Sequence, residues 1–194
     1  MRYVSETGRV DVRLQTNQEP TYYTLREQLL SGSVDLVFAT EVDDPKVGLT
    51  PIGEHRLVLL VPKGHRLDGA GSVSLRELDR EDFIAYSRDC QLRHQMDSQF
   101  RNVGVRPNIT VETAQDIIIF GLVAAGRGIA ITPYPLGATP YNVSVVPVED
   151  LPMRKLYLMW NKEAYLPPAA AGFRDFIVRR GRVFDDYWVR NGVG

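Results

Sequence analysis

The run Leu122-Val123-Ala124-Ala125-Gly126-Arg127-Gly128-Ile129-Ala130-Ile131-Thr132-Pro133 constrains this chain more than any other stretch. Ahead of it, Ile117, Ile118, Leu122 and Ala125 recur near helical spacing, so residues 114–125 are expected as a helix that buries this face. Gly126 or Gly128 can take the left-handed conformation that stops a helix. Residues 129–132 are too few for a second helix, and Pro133 has no N–H to give a ladder, so a short strand and a turn follow. A helix that feeds a strand through one glycine turn is the αβ half of an α/β unit.

The rest of the chain alternates in the same way. Val10-Asp11-Val12-Arg13-Leu14 alternates apolar with polar as a half-buried strand does, and Thr21 or Thr24 can cap a helix through Leu25, Leu29 and Leu30 to Gly32. Asp35-Leu36-Val37-Phe38-Ala39 then reads as a buried strand, giving the βαβ order of a parallel sheet covered on both faces. Strands are expected at residues 56–62, stopped by Pro62 and the turn Lys63-Gly64-His65, at 82–86 and at 108–112. A short helix begins at Ser74, and a longer one at 92–103 closes on Gly104. Beyond Pro133 come a strand at 143–148 with proline at an edge, a period-two strand at 155–160 and an amphipathic helix at 169–180. The sequence holds no internal repeat and no low-complexity segment.

Composition narrows the function classes. With 194 residues, 44% of them hydrophobic and 24% charged, the chain can form one domain or two small lobes and is not of disordered composition. A formal net charge of −1 leaves no broad basic footprint, so direct contact with DNA is not expected of this segment. Cys90 is the single cysteine, which excludes an intrachain disulfide and fits a reducing compartment. Met1-Arg2-Tyr3-Val4-Ser5-Glu6 has no apolar signal region, and no run reaches the roughly 18 apolar residues of a membrane helix. A soluble, cytoplasmic protein without membrane partners is the expectation.

Three motifs in order make the pattern specific. They are Leu29-Leu30-Ser31-Gly32-Ser33-Val34-Asp35-Leu36-Val37-Phe38-Ala39, then Leu57-Val58-Leu59-Leu60-Val61-Pro62-Lys63-Gly64-His65-Arg66-Leu67 with its Pro-x-x-His-x-Leu turn, then residues 121–133. Together they resemble the effector-binding domain of a LysR-type transcriptional regulator, and they cover nearly the whole chain. The resemblance implies a two-lobed α/β fold of the type II periplasmic-binding-protein kind, with two crossover strands and a small-molecule effector between the lobes. Lobe I would comprise residues 1–58 plus 160–194, lobe II residues 59–159, and the crossover strands residues 57–61 and 156–160.

The family layout opens with a helix-turn-helix DNA-binding region and a linker helix, and neither stands in this sequence. It also places a strand and most of a helix ahead of Arg2-Tyr3-Val4, so roughly 20 residues of lobe I are expected to be missing on a layout of short βα units. Family members assemble through these domains, so a homodimer or homotetramer of the full-length protein is implied. DNA would then be contacted only through the missing N-terminal domain.

In open α/β sheets a ligand binds beyond the carboxyl ends of strands, where loops and helix N-termini offer free N–H groups. This rule selects Thr16 and Asn17, Thr40, Tyr86 with Ser87 and Arg88, and Thr113 as effector-binding candidates, and the resemblance points to the same loops and adds Pro133. Arg88 could pair with a carboxylate of an anionic effector, against the plainer reading of a solvated loop charge beside Asp89. Thr16 and Asn17 are also ordinary turn residues, and Thr113 an ordinary helix cap.

Catalytic chemistry is thin. Cys90 and His94 stand four apart near an expected helix start, where a dipole lowers a thiol pKa, although a small semi-buried cysteine is the commoner case. His55, His65 and His94 lack metal-ligand spacing, and Gly126-Arg127-Gly128 lacks the rest of a dinucleotide fingerprint. Asp43-Asp44 and Asp185-Asp186 read as solvated charge pairs. No enzyme, cofactor or metal site is therefore expected. The alternatives on the same scaffold are a transporter's solute-binding protein, which needs an export signal, and a two-lobed enzyme, which needs a catalytic constellation.

Overall fold

The computed structural model describes residues 22–40, 43–134 and 141–180. In chain order its elements are α1 (Tyr22–Leu30), β1 (Val37–Ala39), β2 (Val47–His55), β3 (Leu57–Pro62), a 3-10 turn (Leu75–Leu78), β4 (Asp82–Tyr86), α2 (Gln91–Val103), β5 (Asn108–Thr113), α3 (Asp116–Ala124), β6 (Ala130–Pro133), β7 (Val143–Pro147), β8 (Arg154–Asn161) and α4 (Pro168–Arg180). They fall into two compact units, one within Met1–Glu54 and Lys155–Gly194, the other within His55–Arg154.

In the first unit β8 is the middle strand of a sheet ordered β1-β8-β2. Its Met159 packs with Leu29 of α1, Val37 and Val47, while the next residue inward, Leu158, packs with Ile52 and with Ile177 of α4. Helices therefore cover both faces of the sheet. This corrects the expected period-two strand: a strand buried on both sides needs consecutive apolar residues, and both Leu158 and Met159 are fully buried.

The strand that the sequence reading passes over is β2. Gly48 and Pro51 interrupt its apolar pattern, yet among the described strands it lies at the sheet edge, where proline is tolerated. Gly48 has its own reason to be there: a Cβ at this position would collide with the indole of Trp160. On the same ring, the Arg174 guanidinium lies 5.3 Å from the centroid, a cation–π contact.

Two local expectations change in this unit. Thr24 lies inside α1 and does not cap it, and Thr21, the other candidate, lies outside the described residues. Asp44 is not a solvated charge, because its side chain is only 6% exposed and accepts Arg26 Nε at 2.6 Å. It also accepts the Lys46 N–H at 2.8 Å, and these bonds, the backbone one first, hold its carboxyl below the ordinary range. β1 pairs antiparallel with β8, and the parallel partner expected at residues 10–14 lies outside the described residues, as do residues 185 and 186.

The second unit is built on β6-β3-β7, all antiparallel, and on the parallel pair β4-β5. A parallel bridge, Phe83 to Ile129, stitches the two together: Ile84 N donates to Ile129 O and Ile129 N to Asp82 O, each at 2.8 Å. One continuous core follows. β3 supplies Leu57, Leu59, Leu60 and Val61, α2 supplies Leu92, Met96 and Phe100, and α3 supplies Ile119, Phe120 and Val123. Each such fully buried side chain contributes roughly 1.5–3 kcal/mol relative to exposure.

Local signals mostly hold here. Ser74 and Glu77 form a capping box, although the helix they start is a single 3-10 turn. α2 closes on Gly104 in the left-handed region at φ 76°. The inward face of α3 is different from the expected one. Ile117 and Ile118 are exposed, and Ile119, Phe120 and Val123 point inward, since an almost wholly apolar helix carries no periodicity from which to choose a face.

Candidate functional site

β4, β5 and β6 are parallel, so their carboxyl ends share one edge of the second unit. Tyr86 ends β4, Thr113 ends β5 and Pro133 ends β6, with Ser87 and Arg88 immediately beyond Tyr86. The two loops meet directly: Ser87 N donates to Thr113 O at 3.0 Å. Five of the eight candidates therefore stand along one edge. Thr40 follows β1 in the first unit and is half-buried, while Thr16 and Asn17 lie outside the described residues.

A residue overlooked in the sequence holds this edge in place. Arg93 of α2, with a side chain only 7% exposed, donates through Nη1 to Tyr86 O at 2.9 Å and to Glu112 Oε1 at 2.8 Å. Its Nε reaches both Asp97 oxygens, at 2.9 and 3.0 Å. The guanidinium thus ties the last residue of β4 to the end of β5 and to its own helix. Burial works against its charge, but the hydrogen bonds it donates to Glu112 and Asp97 outweigh that and raise its pKa. In turn the Arg93 bond holds the Glu112 carboxyl below its ordinary value. The arginine and aspartate four apart on one helix were legible as a pair, but nothing in the sequence says that it turns inward.

Glu112 also faces Arg88, whose Nε is 3.5 Å from the same Oε1 and whose side chain is 82% exposed. Arg88 therefore offers a solvated cation at the edge, partly balanced by its neighbour. The Tyr86 hydroxyl donates to Asp116 Oδ1 at 2.5 Å, which fastens the first residue of α3 to the end of β4. Thr113 does not cap that helix. Its Oγ1 accepts Gln115 N at 3.2 Å, closing a tight turn before α3 begins.

The thiol near the start of α2 is closed off. Cys90 is buried in the core, so its thiol lacks the access that thiol chemistry requires. His65 serves its turn, with Nδ1 accepting Leu67 N at 3.3 Å. Among the described residues no three His, Cys, Asp or Glu side chains gather as a metal site, and no helix is long and apolar enough to cross a membrane. At this edge the Ser87 amide, the Tyr86 hydroxyl and the Thr113 hydroxyl are engaged in fixing the loops, and the Arg88 guanidinium stands exposed.

Residues 6–182 match the model of the LysR substrate binding domain. The chain belongs to the LysR family. YybE of Bacillus subtilis (strain 168), an uncharacterised HTH-type transcriptional regulator, is 28% identical over 170 residues, covering 87% of this chain and 58% of its own length. YnfL of Escherichia coli (strain K12), described in the same words, is 30% identical over 172 residues, covering 84% of this chain and 57% of its own length. The chain thus spans less than two thirds of the length of these curated relatives.

Among solved structures, the effector binding domain of QuiR in complex with shikimate superposes with a TM-score of 0.79 at 28% identity, covering 85% of this chain and 80% of that domain's chain. HinK, a LysR family regulator from Pseudomonas aeruginosa, gives 0.77 at 27% identity, covering 92% of this chain and 63% of HinK. The fold is accordingly the two-lobed, type II periplasmic-binding-like α/β fold of LysR effector-binding domains.

Proposed function

We propose that this LysR domain senses a small-molecule effector at the carboxyl edge of β4, β5 and β6, through Tyr86, Ser87, Arg88, Thr113 and Pro133. Residues 1–58 with 160–194 form lobe I in this reading and residues 59–159 lobe II, and Thr16, Asn17 and Thr40 are the lobe I contacts to the same effector. The observation that carries it is the Ser87 N to Thr113 O bond, which draws two loops selected independently by the strand-end rule into one surface. Arg88 fits an anionic group on the effector, such as a carboxylate.

The effector can shift the arrangement of the lobes only by its difference in affinity for the two states. In the full-length protein, that shift would change how paired DNA-binding heads are spaced on an operator. DNA contact through an N-terminal helix-turn-helix, assembly as a homodimer or homotetramer, a cytoplasmic location and the lack of a catalytic role of its own complete the proposal. Shikimate, bound by QuiR, is the first probe, followed by a panel of small carboxylates, polyols and amines. A bound effector should raise the melting temperature by mass action, and Arg88→Ala and Ser87→Ala should each weaken it about tenfold. A panel in which nothing stabilises the domain would break the sensing reading.

A further inference from the structure

Thr132 carries the one side-chain oxygen or nitrogen, among the described residues, that is buried without a hydrogen-bond partner. It stands on β6 beside Pro133, opposite Val58 of β3, and is fully buried. Packing does not call for a hydroxyl there. Valine has the same β-branched shape, the flanking Ile129, Ala130 and Ile131 are all apolar, and an unmet buried hydroxyl destabilises the fold.

Its position is informative. The steps from Phe83 to Tyr86 equal those from Ile129 to Thr132, so the alternation of strand side chains from the Phe83 to Ile129 bridge points Tyr86 and Thr132 to corresponding sides of β4 and β6, near the carboxyl ends of both. The Tyr86 hydroxyl reaches Asp116, the first residue of α3, so the start of that helix lies on the side of β4 that corresponds to the side of β6 carrying Thr132. Buried polar groups left open in a folded protein mark strain, function or a bound partner.

We infer that Thr132 is a specificity-determining residue whose hydroxyl hydrogen-bonds an oxygen or nitrogen of the bound effector, so that the site selects a ligand polar at that end over an apolar analogue. This rests on the sensing site proposed above, at whose edge Thr132 stands. The sequence points to Pro133 and not to its neighbour, because a threonine in an apolar strand looks like a packing residue.

The test compares Thr132→Val and Thr132→Ser with the wild type, first without ligand and then with shikimate and the same panel. Without ligand, Thr132→Val should melt about 2–4 °C higher, since it removes an unmet hydroxyl. Any ligand that stabilises the wild type should bind Thr132→Val about tenfold more weakly and Thr132→Ser nearly as well as the wild type. A valine variant that melts lower would show that the hydroxyl already has a partner in the free domain, and would overturn the inference while leaving the sensing reading intact. So would a valine variant with unchanged affinity, the result expected of a hydroxyl met only by trapped water. A wild type that binds nothing in the panel breaks the sensing reading itself, and the inference falls with it.

Discussion

Helices α2 and α3 both pack against β4, and they do so in opposite ways. α2 is mostly polar and turns Leu92, Arg93, Met96 and Phe100 inward. α3 is apolar almost throughout and turns in only Ile119, Phe120 and Val123, leaving Ile117 57% and Ile118 42% exposed. Where apolar residues are scarce their spacing names the buried face; where they are abundant it does not. The contrast extends to chemistry, since the single charge that α2 buries fastens the candidate edge, while the excess apolar surface of α3 stays outside the core.

The largest effects should come from the inward faces. Phe100→Ala is expected to lower stability by about 3–5 kcal/mol and Ile119→Ala by about 2–5 kcal/mol in urea unfolding. If Ile119→Ala cost less than Ile117→Ala, the assignment of the α3 face would be wrong. Next comes Arg93→Met, expected to cost about 1.5–3 kcal/mol at neutral pH, because Tyr86 O, Glu112 and Asp97 lose their donor together.

That difference should depend on pH in one direction. Glu112 has a depressed pKa in the folded protein, so its stabilisation is complete above the unfolded-state value of 4.5 and is lost as pH falls through the lower folded value. The gap between wild type and Arg93→Met should therefore narrow only in acid below that point. A gap that stayed constant from neutral pH into strong acid would exclude the ion pair as its source.

Smaller effects mark the ends and the outside. Gly104→Ala should cost about 1–2 kcal/mol, purely from holding a Cβ in the left-handed region, as no atom lies near enough to clash. Ile117→Ser and Ile118→Ser should each stay within about 0.5 kcal/mol, as exposed substitutions do. A larger loss at either position would mean that the outer face of α3 is covered in solution, which size-exclusion chromatography would then show as a change of oligomeric state.

Much of the architecture was legible because turn chemistry is local. Gly32, Pro62, Ser74 and Gly104 each punctuate an element by a rule that needs no tertiary information. The strand-end rule likewise reached Tyr86, Ser87, Arg88 and Thr113 from order alone, and the family resemblance added Pro133. What stayed hidden depends on partners far away in sequence. Leu158 and Met159 look alternating until helices cover both faces, Asp44 looks solvated until Arg26 reaches it, and Glu112 looks like an outward strand residue until α2 delivers Arg93.

Gly128 shows what such a site owes to a missing atom. A Cβ built there would stand 2.5 Å from Asp82 O, the same carbonyl that accepts the Ile129 N–H. The spacing between β4 and β6 is thus gauged by the smallest side chain available. Substitution at 128 would therefore act as a wedge against Asp82 O, in a backbone conformation that a Cβ also disfavours, and would part β4 from β6 at the bridge that joins them.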